Sequence, residues 1–261
     1  MPNAPENLKT WESLIQIVAA LRGPEGCPWD LEQSHFSLAP YCLEEACELI
    51  EAIEKNEDSA LKDELGDVLF QVVLHAQLAS ERQAFTLQEV LENLNTKMVR
   101  RHPHVFADKK VTDSHEVWLN WEKIKKAEKK SSPEGFHIAP TLPALQTAYK
   151  IGVKTEKAGF DWSEVKDVVS KVKEELQELE EAISEKNQAA TFEEMGDLLF
   201  SVAQLARHLD LEPEQSLRAA NRKFETRYFK MLELAHKRGL NFENLKDSEK
   251  ENLWQQIKER P

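Results

Sequence analysis

The sequence predicts an all-α protein made of two tandem, repeated helical domains. Three observations carry that prediction. Apolar residues recur at helical spacing along nearly the whole chain, only 8 glycines interrupt it, and one half of the sequence echoes the other at an offset of 130 residues. The stripe Leu65, Val68, Leu69, Val72 and Ala76, at i, i+3, i+4, i+7 and i+11, is representative.

Taken in order, the first half predicts helices near 6–22, 38–56, 59–82, 86–101 and 114–130. The second half predicts a matching five near 142–158, 164–186, 189–209, 213–238 and 247–260. Starts are read from capping-box spacings at Thr86 with Glu89, Thr191 with Glu194, and Ser248 with Glu251. Between the sets, "KKSSPEGFHIAPTLP" has the composition of a linker. The predicted organisation is a domain over 1–128, a linker over 129–141 and a second domain over 142–261.

Composition narrows the class. Apolar content of 41% and charged content of 31% belong to a globular chain, and a net charge of −13 argues against nucleic acid or an anionic membrane as partner. Three cysteines, Cys27, Cys42 and Cys47, lack CxxC spacing, and Cys42 and Cys47 are expected in the core. The opening residues lack a signal-peptide pattern, and no apolar run approaches the ~20 residues of a membrane span, so a cytoplasmic location is expected.

The repeat carries the chemistry. "LEEACELIEAI" (43–53) matches "KEELQELEEAI" (173–183), and "DELGDVLFQV" (63–72) matches "EEMGDLLFSV" (193–202). Glu45, Glu48, Glu64 and Asp67 therefore correspond to Glu175, Glu178, Glu194 and Asp197. Residues at i and i+3 share a helix face, so each pair projects together, and a short turn between the helices brings four carboxylates to the edge of a shared core. That core is expected along Val172, Leu176, Leu179 and Ile183 facing Met195, Leu198, Leu199 and Val202. A lone pair of this kind, in a chain with 47 acidic residues, is an ordinary solvated face, and Glu194 alone is explained as the capping partner of Thr191. Two pairs at equal separation, written twice, are not. Clustered carboxylates need a compensating cation, and an all-oxygen donor set without His or Cys selects Mg²⁺, or Mn²⁺, which leaves positions for substrate phosphate.

Basic and aromatic residues suit that reading. Lys223 and Arg227 share a face at i and i+4, and Lys258 follows Trp254 by one turn; Lys97, Arg101, Trp121 and Lys125 are their first-half counterparts. Taken singly, these are common surface cations and core tryptophans. Together with the carboxylates they suit nucleotide phosphate chemistry. In "RRHPHVF", His102 and His104 flank Pro103, which predicts a rigid turn leaving the helix rather than a metal site.

"GCPWD" (26–30), "LEEACEL" (43–49), "DELGDVLFQVV" (63–73), "RRHPHVF" (100–106) and the second acidic set resemble the two-domain form of the MazG nucleoside triphosphate pyrophosphohydrolases, over nearly the whole chain. The resemblance implies Mg²⁺-dependent cleavage of nucleoside triphosphates between the α and β phosphates, broad base tolerance, and a homodimer of all-α domains. It implies metal ligands at Glu175, Glu178, Glu194 and Asp197, and at Glu45, Glu48, Glu64 and Asp67 in the first half. Substrate contacts are implied at Lys223, Arg227, Trp254 and Lys258, and at Lys97, Arg101, Trp121 and Lys125. Combined with the residue chemistry, Glu175 or Glu178 is expected to orient a water for attack, and Lys223, Arg227 and Lys258 to stabilise the leaving pyrophosphate. The alternatives are a narrow-specificity all-α pyrophosphohydrolase of the dUTP or phosphoribosyl-ATP type, a di-iron carboxylate bundle, and a non-catalytic acidic scaffold. Both halves keep every charged position, with a preference for the second, where Lys223 and Arg227 lie mid-helix.

Overall fold

A computed structural model describes residues 2–128 and 138–258. Among these the chain forms twelve α-helices and one 3-10 turn, with no strand. It divides into two compact units, Met1–Ser132 and Pro133–Pro261. Residues 129–137 of the expected linker lie outside the described range.

The first unit runs α1 (Trp11–Leu21), α2 (Pro28–Glu32), α3 (His35–Lys55), α4 (Asp58–Glu81), α5 (Leu87–Arg101), α6 (Pro103–Phe106) and α7 (Ser114–Glu128). The second runs α8 (Ala144–Lys157), α9 (Val165–Ser184), α10 (Gln188–His208), α11 (Pro213–Lys237), the 3-10 turn Phe242–Asn244 and α12 (Asp247–Lys258). In each unit one helical hairpin is the most extensive packing, α3 on α4 and α9 on α10. Both hairpins turn through a left-handed residue, Asn56 (φ 57°) and Lys186 (φ 55°), 130 positions apart. Burial keeps the same register: Ala52 and Ala182, Gln71 and Ser201, Val73 and Ala203, and Leu74 and Gln204 are all buried. The sequence repeat is thus a repeat of packing.

Local chemistry explains the starts, and corrects three of them. Thr86 and Glu89 form the expected capping box at α5. Thr191 does not cap a helix: α10 already begins at Gln188, capped by the Asn187 side chain, and the Thr191 hydroxyl donates to the Asn187 carbonyl at 2.9 Å. Glu194 is thereby released from any capping duty. Ser248 is likewise internal to α12, whose first turn is closed by Glu249 accepting from the Lys246 N–H at 2.8 Å. Helix α3 begins before Pro40 because Ser34 and Ser37 cap each other's backbone. At the other end of the first unit, His102 leaves the helical region and Pro103 opens a new short helix, while the His102 Nδ1–H donates to the Met98 carbonyl at 2.7 Å.

The cores differ between units. In the first, Val18, Leu38, Val73, Leu74 and Leu78 pack with Trp11, Leu14, Phe70 and Leu87. In the second, Gln204 stands where Leu74 stands in the first, and its amide must be satisfied. Its Nε2 donates to the Ala148 carbonyl at 2.7 Å and its Oε1 accepts from Arg207 at 3.0 Å. Arg207 continues to Asp161 and Glu156. Burial opposes ionisation of Asp161, but hydrogen bonds from Arg207 and His208 outweigh it and hold its carboxyl below the usual range. Gly152 makes room for this network, since a Cβ there would lie 1.8 Å from Gln204 Oε1. A separate cluster of Met231, Ala235, Leu253 and Ile257 joins α11 to α12.

Among the described residues, much of the stripe expected to be core is left uncovered. Leu65, Leu69 and Val72 on α4 are 53, 36 and 45% exposed, and Met195, Leu199 and Val202 on α10 are 43, 50 and 43% exposed. Leu176 and Ile183 on α9 are exposed as well; of that row Leu179 is buried. Cys47 is exposed and Cys42 half-buried. Each hairpin buries the neighbouring face and leaves this one to solvent.

One contact has no counterpart in the second unit. His35 and His75 lie with rings parallel within 4° and Nδ1 atoms 2.8 Å apart, whereas Val165 and Leu205 stand 130 residues on. The pair can share one proton, and His35 Nε2 is buried with no hydrogen-bond partner. Burial, then His35, lowers the His75 pKa. A depressed histidine stabilises the fold above its unfolded value of about 6.5 and loses that contribution as pH falls through this value toward the folded one. In melts at pH 7.5 and 5.5, His75→Leu, which installs the residue of the second unit, is expected to fare better on acidification than the wild type; an equal change of Tm in both would refute it.

Candidate functional site

The two hairpins gather the carboxylates. Ligand oxygens of Glu175 on α9 and of Glu194 and Asp197 on α10 lie within 4.8 Å of one another, and those of Glu45, Glu64 and Asp67 do the same on α3 and α4. The i, i+3 spacing aligns the two α10 residues, and the crossing of α9 supplies the third. Glu175 is buried, Glu194 half-buried and Asp197 exposed, so the second cluster faces outward from a desolvated base; in the first, Glu45 and Glu64 are half-buried and Asp67 exposed.

Glu48 and Glu178 stand outside these trios. Both are exposed, one turn further along their helices. Glu48 lines, with Glu51, Lys55, Glu57 and Glu64, a cleft of about 240 Å³ beside the hairpin turn. Their charges are nevertheless felt. Burial, then Glu178 and Asp197, raises the Glu194 pKa, and burial, then Glu48 and Asp67, raises that of Glu64. Desolvation followed by Glu175 raises Glu178, and burial followed by Asp67 and Glu48 raises Glu45. Like charges held this close favour proton or metal uptake.

A hard divalent cation fits this donor set. Every donor is a carboxylate oxygen, no histidine joins either trio, and Glu64 Oε2 is buried without a hydrogen-bond partner. The absence of histidine from the trios also removes the Glu-x-x-His pairs of a di-iron bundle.

The cations differ between units. In the first, Arg101 on α5 is held by Glu128 at 2.5 Å and lies 5.4 Å from the Trp121 ring, while Arg100 also pairs with Glu128 at 2.7 Å. The Glu128 hydrogen bond raises the Arg101 pKa. Lys97 is half-buried, and Lys125 lies 3.8 Å from Glu122. In the second, Lys223 is exposed and Arg227 half-buried on α11, with no ion pair recorded for either among the described residues. Phe224, between them in sequence, packs its ring 5.2 Å from Trp254, which is half-buried over the α11–α12 core. Lys258 is exposed at the end of α12. No hydrogen bond or ion pair among the described residues ties Lys97, Arg101, Lys125, Lys223, Arg227 or Lys258 to the carboxylates.

Two residues at the site escaped the sequence reading. Lys171 Nζ lies 2.6 Å from Glu175 and 2.7 Å from Glu174, and the Gln71 side chain favours the ionised form of Glu45. Lys171 is at i−4 from Glu175, a visible signal. The repeat concealed it, because its first-half counterpart is Tyr41.

The MazG nucleotide pyrophosphohydrolase domain matches this sequence twice, over residues 33–106 and 156–231. The chain belongs to the MazG family. It is 47% identical over 248 residues to the protein of Thermotoga maritima named nucleoside triphosphate pyrophosphohydrolase/pyrophosphatase MazG, covering 95% of each. It is 42% identical over 253 residues to the nucleoside triphosphate pyrophosphohydrolase of Escherichia coli K12, covering 95% of this chain and 96% of that one. A Bacillus subtilis protein named YabN, described as uncharacterized, is 43% identical over 249 residues that make up 50% of its own length. Each MazG match takes in one whole carboxylate hairpin together with the cations of the following helix, Lys97 and Arg101 or Lys223 and Arg227. Trp121, Lys125, Trp254 and Lys258 fall outside the matched stretches. No helix among the described residues is long and apolar enough to cross a membrane.

Proposed function

We propose that this MazG-family hydrolase cleaves nucleoside triphosphates between the α and β phosphates, releasing nucleoside monophosphate and pyrophosphate, with Mg²⁺ and with broad base tolerance. The observation that carries the reading is the trio of carboxylate oxygens within 4.8 Å, built twice on facing helices. The relatives' names supply the substrate class. Bound at a trio, a divalent cation would polarise the phosphate oxygens and offset their charge.

The chain's own residues do the rest. Glu175, Glu194 and Asp197 hold the cation, and the raised carboxyl of Glu178, outside the tight trio, orients the attacking water in line with the scissile bond. Lys223 and Arg227 approach the phosphates from α11, Lys258 from α12, and Trp254 supports the nucleoside side. The second unit is proposed as the working half: Arg101 is engaged by Glu128 and Trp121, while Lys223 and Arg227 carry no recorded ion pair among the described residues. The protein is further proposed to act as a cytoplasmic homodimer, with no nucleic-acid or membrane partner.

Ion-exchange product analysis tests this, with ATP, GTP, CTP, UTP and their deoxy forms, in Mg²⁺ and in chelator. Monophosphate plus pyrophosphate, abolished by chelator and by Glu178→Ala but kept by Glu48→Ala, is the expected result. Diphosphate plus phosphate would refute the bond assignment, loss with Glu48→Ala would move the activity to the first unit, and no turnover would favour a non-catalytic scaffold.

A further inference from the structure

The repeat sets a lysine against a tyrosine at one position, and the difference falls on a metal ligand. Lys171 reaches Glu175 at 2.6 Å, and the Glu175 side chain is only 5% exposed, so water screens this pair poorly. At the matching position Tyr41 turns its ring edge-on to Trp29, centroids 5.7 Å apart. Glu45, the counterpart of Glu175, has instead the neutral Gln71 side chain favouring its ionised form; Gln71 is itself buried, and its second-unit counterpart is Ser201. Glu64 Oε2 is buried without a partner, and no ion pair is recorded for Glu45, Glu64 or Asp67 among the described residues. Lys55 lines the adjoining cleft but is drawn to Glu51 at 2.6 Å.

We propose that the two metal sites are unequal: the first-unit trio takes up a divalent cation by itself, whereas in the second unit Lys171 occupies a ligand and the cation enters together with a nucleotide triphosphate. The inference rests on the reading of both trios as metal sites. Its physical basis is the one unit of positive charge by which the two clusters differ. A cation entering the second trio must take Glu175 from Lys171 while the ammonium stays nearby. Triphosphate relieves both problems, because its oxygens accept the displaced ammonium and add ligands to the cation. The second unit is thereby kept from holding metal without substrate, and the first is left as the site that loads in its absence.

The test is titration of Mn²⁺ alone into the full chain, followed by electron paramagnetic resonance and calorimetry, then repeated with α,β-methylene-ATP present. The wild type is expected to bind one ion tightly per chain, abolished by Glu64→Gln and unaffected by Glu194→Gln. The second ion is expected about tenfold weaker or more, and tightened by the analogue. Lys171→Tyr should bring the second ion to the affinity of the first, with Lys171→Met as a smaller replacement should the tyrosine disturb packing. Tyr41→Lys should weaken the first ion by a similar factor. Two equal ions in the wild type, or no response to either Lys171 variant, would overturn the inequality while leaving the metal sites standing. Failure of any ion to bind, with or without the analogue, would overturn both that inequality and the metal reading beneath it.

Discussion

Glu194→Gln is expected to lower nucleotide hydrolysis about a hundredfold or more, while raising the melting temperature of the metal-free protein. The two effects have one cause. Glu194 is held beside Glu175, Glu178 and Asp197, and burial followed by these neighbours raises its pKa. An acid whose folded pKa is raised contributes its stability at low pH and loses it as pH rises through the folded value, so at neutral pH the ionised Glu194 strains the hairpin. The isosteric amide removes the charge and keeps the shape. With saturating Mg²⁺ and α,β-methylene-ATP together the order should reverse, because a cation and analogue bound to the folded wild type add stability that the variant lacks. Paired melts, with chelator and with Mg²⁺ plus the analogue, together with a hydrolysis assay, check all three points. A variant that is less stable in chelator would show that the cluster is held by interactions other than cation binding.

The second large effect is on assembly. Leu199→Glu on α10 and Leu69→Glu on α4 are each expected to shift the proposed homodimer toward single chains in sedimentation, with helical content unchanged by circular dichroism. The reason lies in the exposed stripes. Leu65, Leu69 and Val72 form one apolar row and Met195, Leu199 and Val202 its repeat, each a third to a half exposed or more. Contiguous apolar faces of this kind mark contact surfaces. A carboxylate placed in the middle of such a contact would have to be desolvated without a partner, at a cost of several kcal/mol. If both variants sediment as the wild type does, neither row is the dimer contact.

Much of this was legible in the letters. The helices at 86–101 and 213–238 emerge within a residue or so of α5 and α11, the first because Thr86 with Glu89 is a local start signal whose chemistry operates wherever the helix finally packs. The repeat was legible for a different reason: a duplicated packing register demands matching small and apolar residues, and Ala52 with Ala182 or Val73 with Ala203 satisfy it.

Other signals were ambiguous because they compete. Thr191 and Glu194 have capping spacing, yet Asn187 captures the helix start four residues earlier, and only the placement of the chain settled which hydroxyl or amide met the free N–H groups. The apolar rows of α4 and α10 have the periodicity of a core, and periodicity says that residues share a face, not what covers it.

The sequence by itself determined the all-α class, the duplication and the eight carboxylates, since these follow from spacing along a helix and from repetition. Only the tertiary structure decided which carboxylates meet. Glu175 joins Glu194 and Asp197 while Glu178 stands one turn away, because the crossing of α9 over α10 sets the distances between helices and no i, i+3 rule reaches across it. The i, i+4 spacing within α9 brings Lys171 onto Glu175, whereas its counterpart Tyr41 packs on Trp29, a contact that helical spacing alone does not give. Helical spacing fixes neighbours within an element; distances between elements belong to packing, where a single exchanged side chain changes the charge of a site.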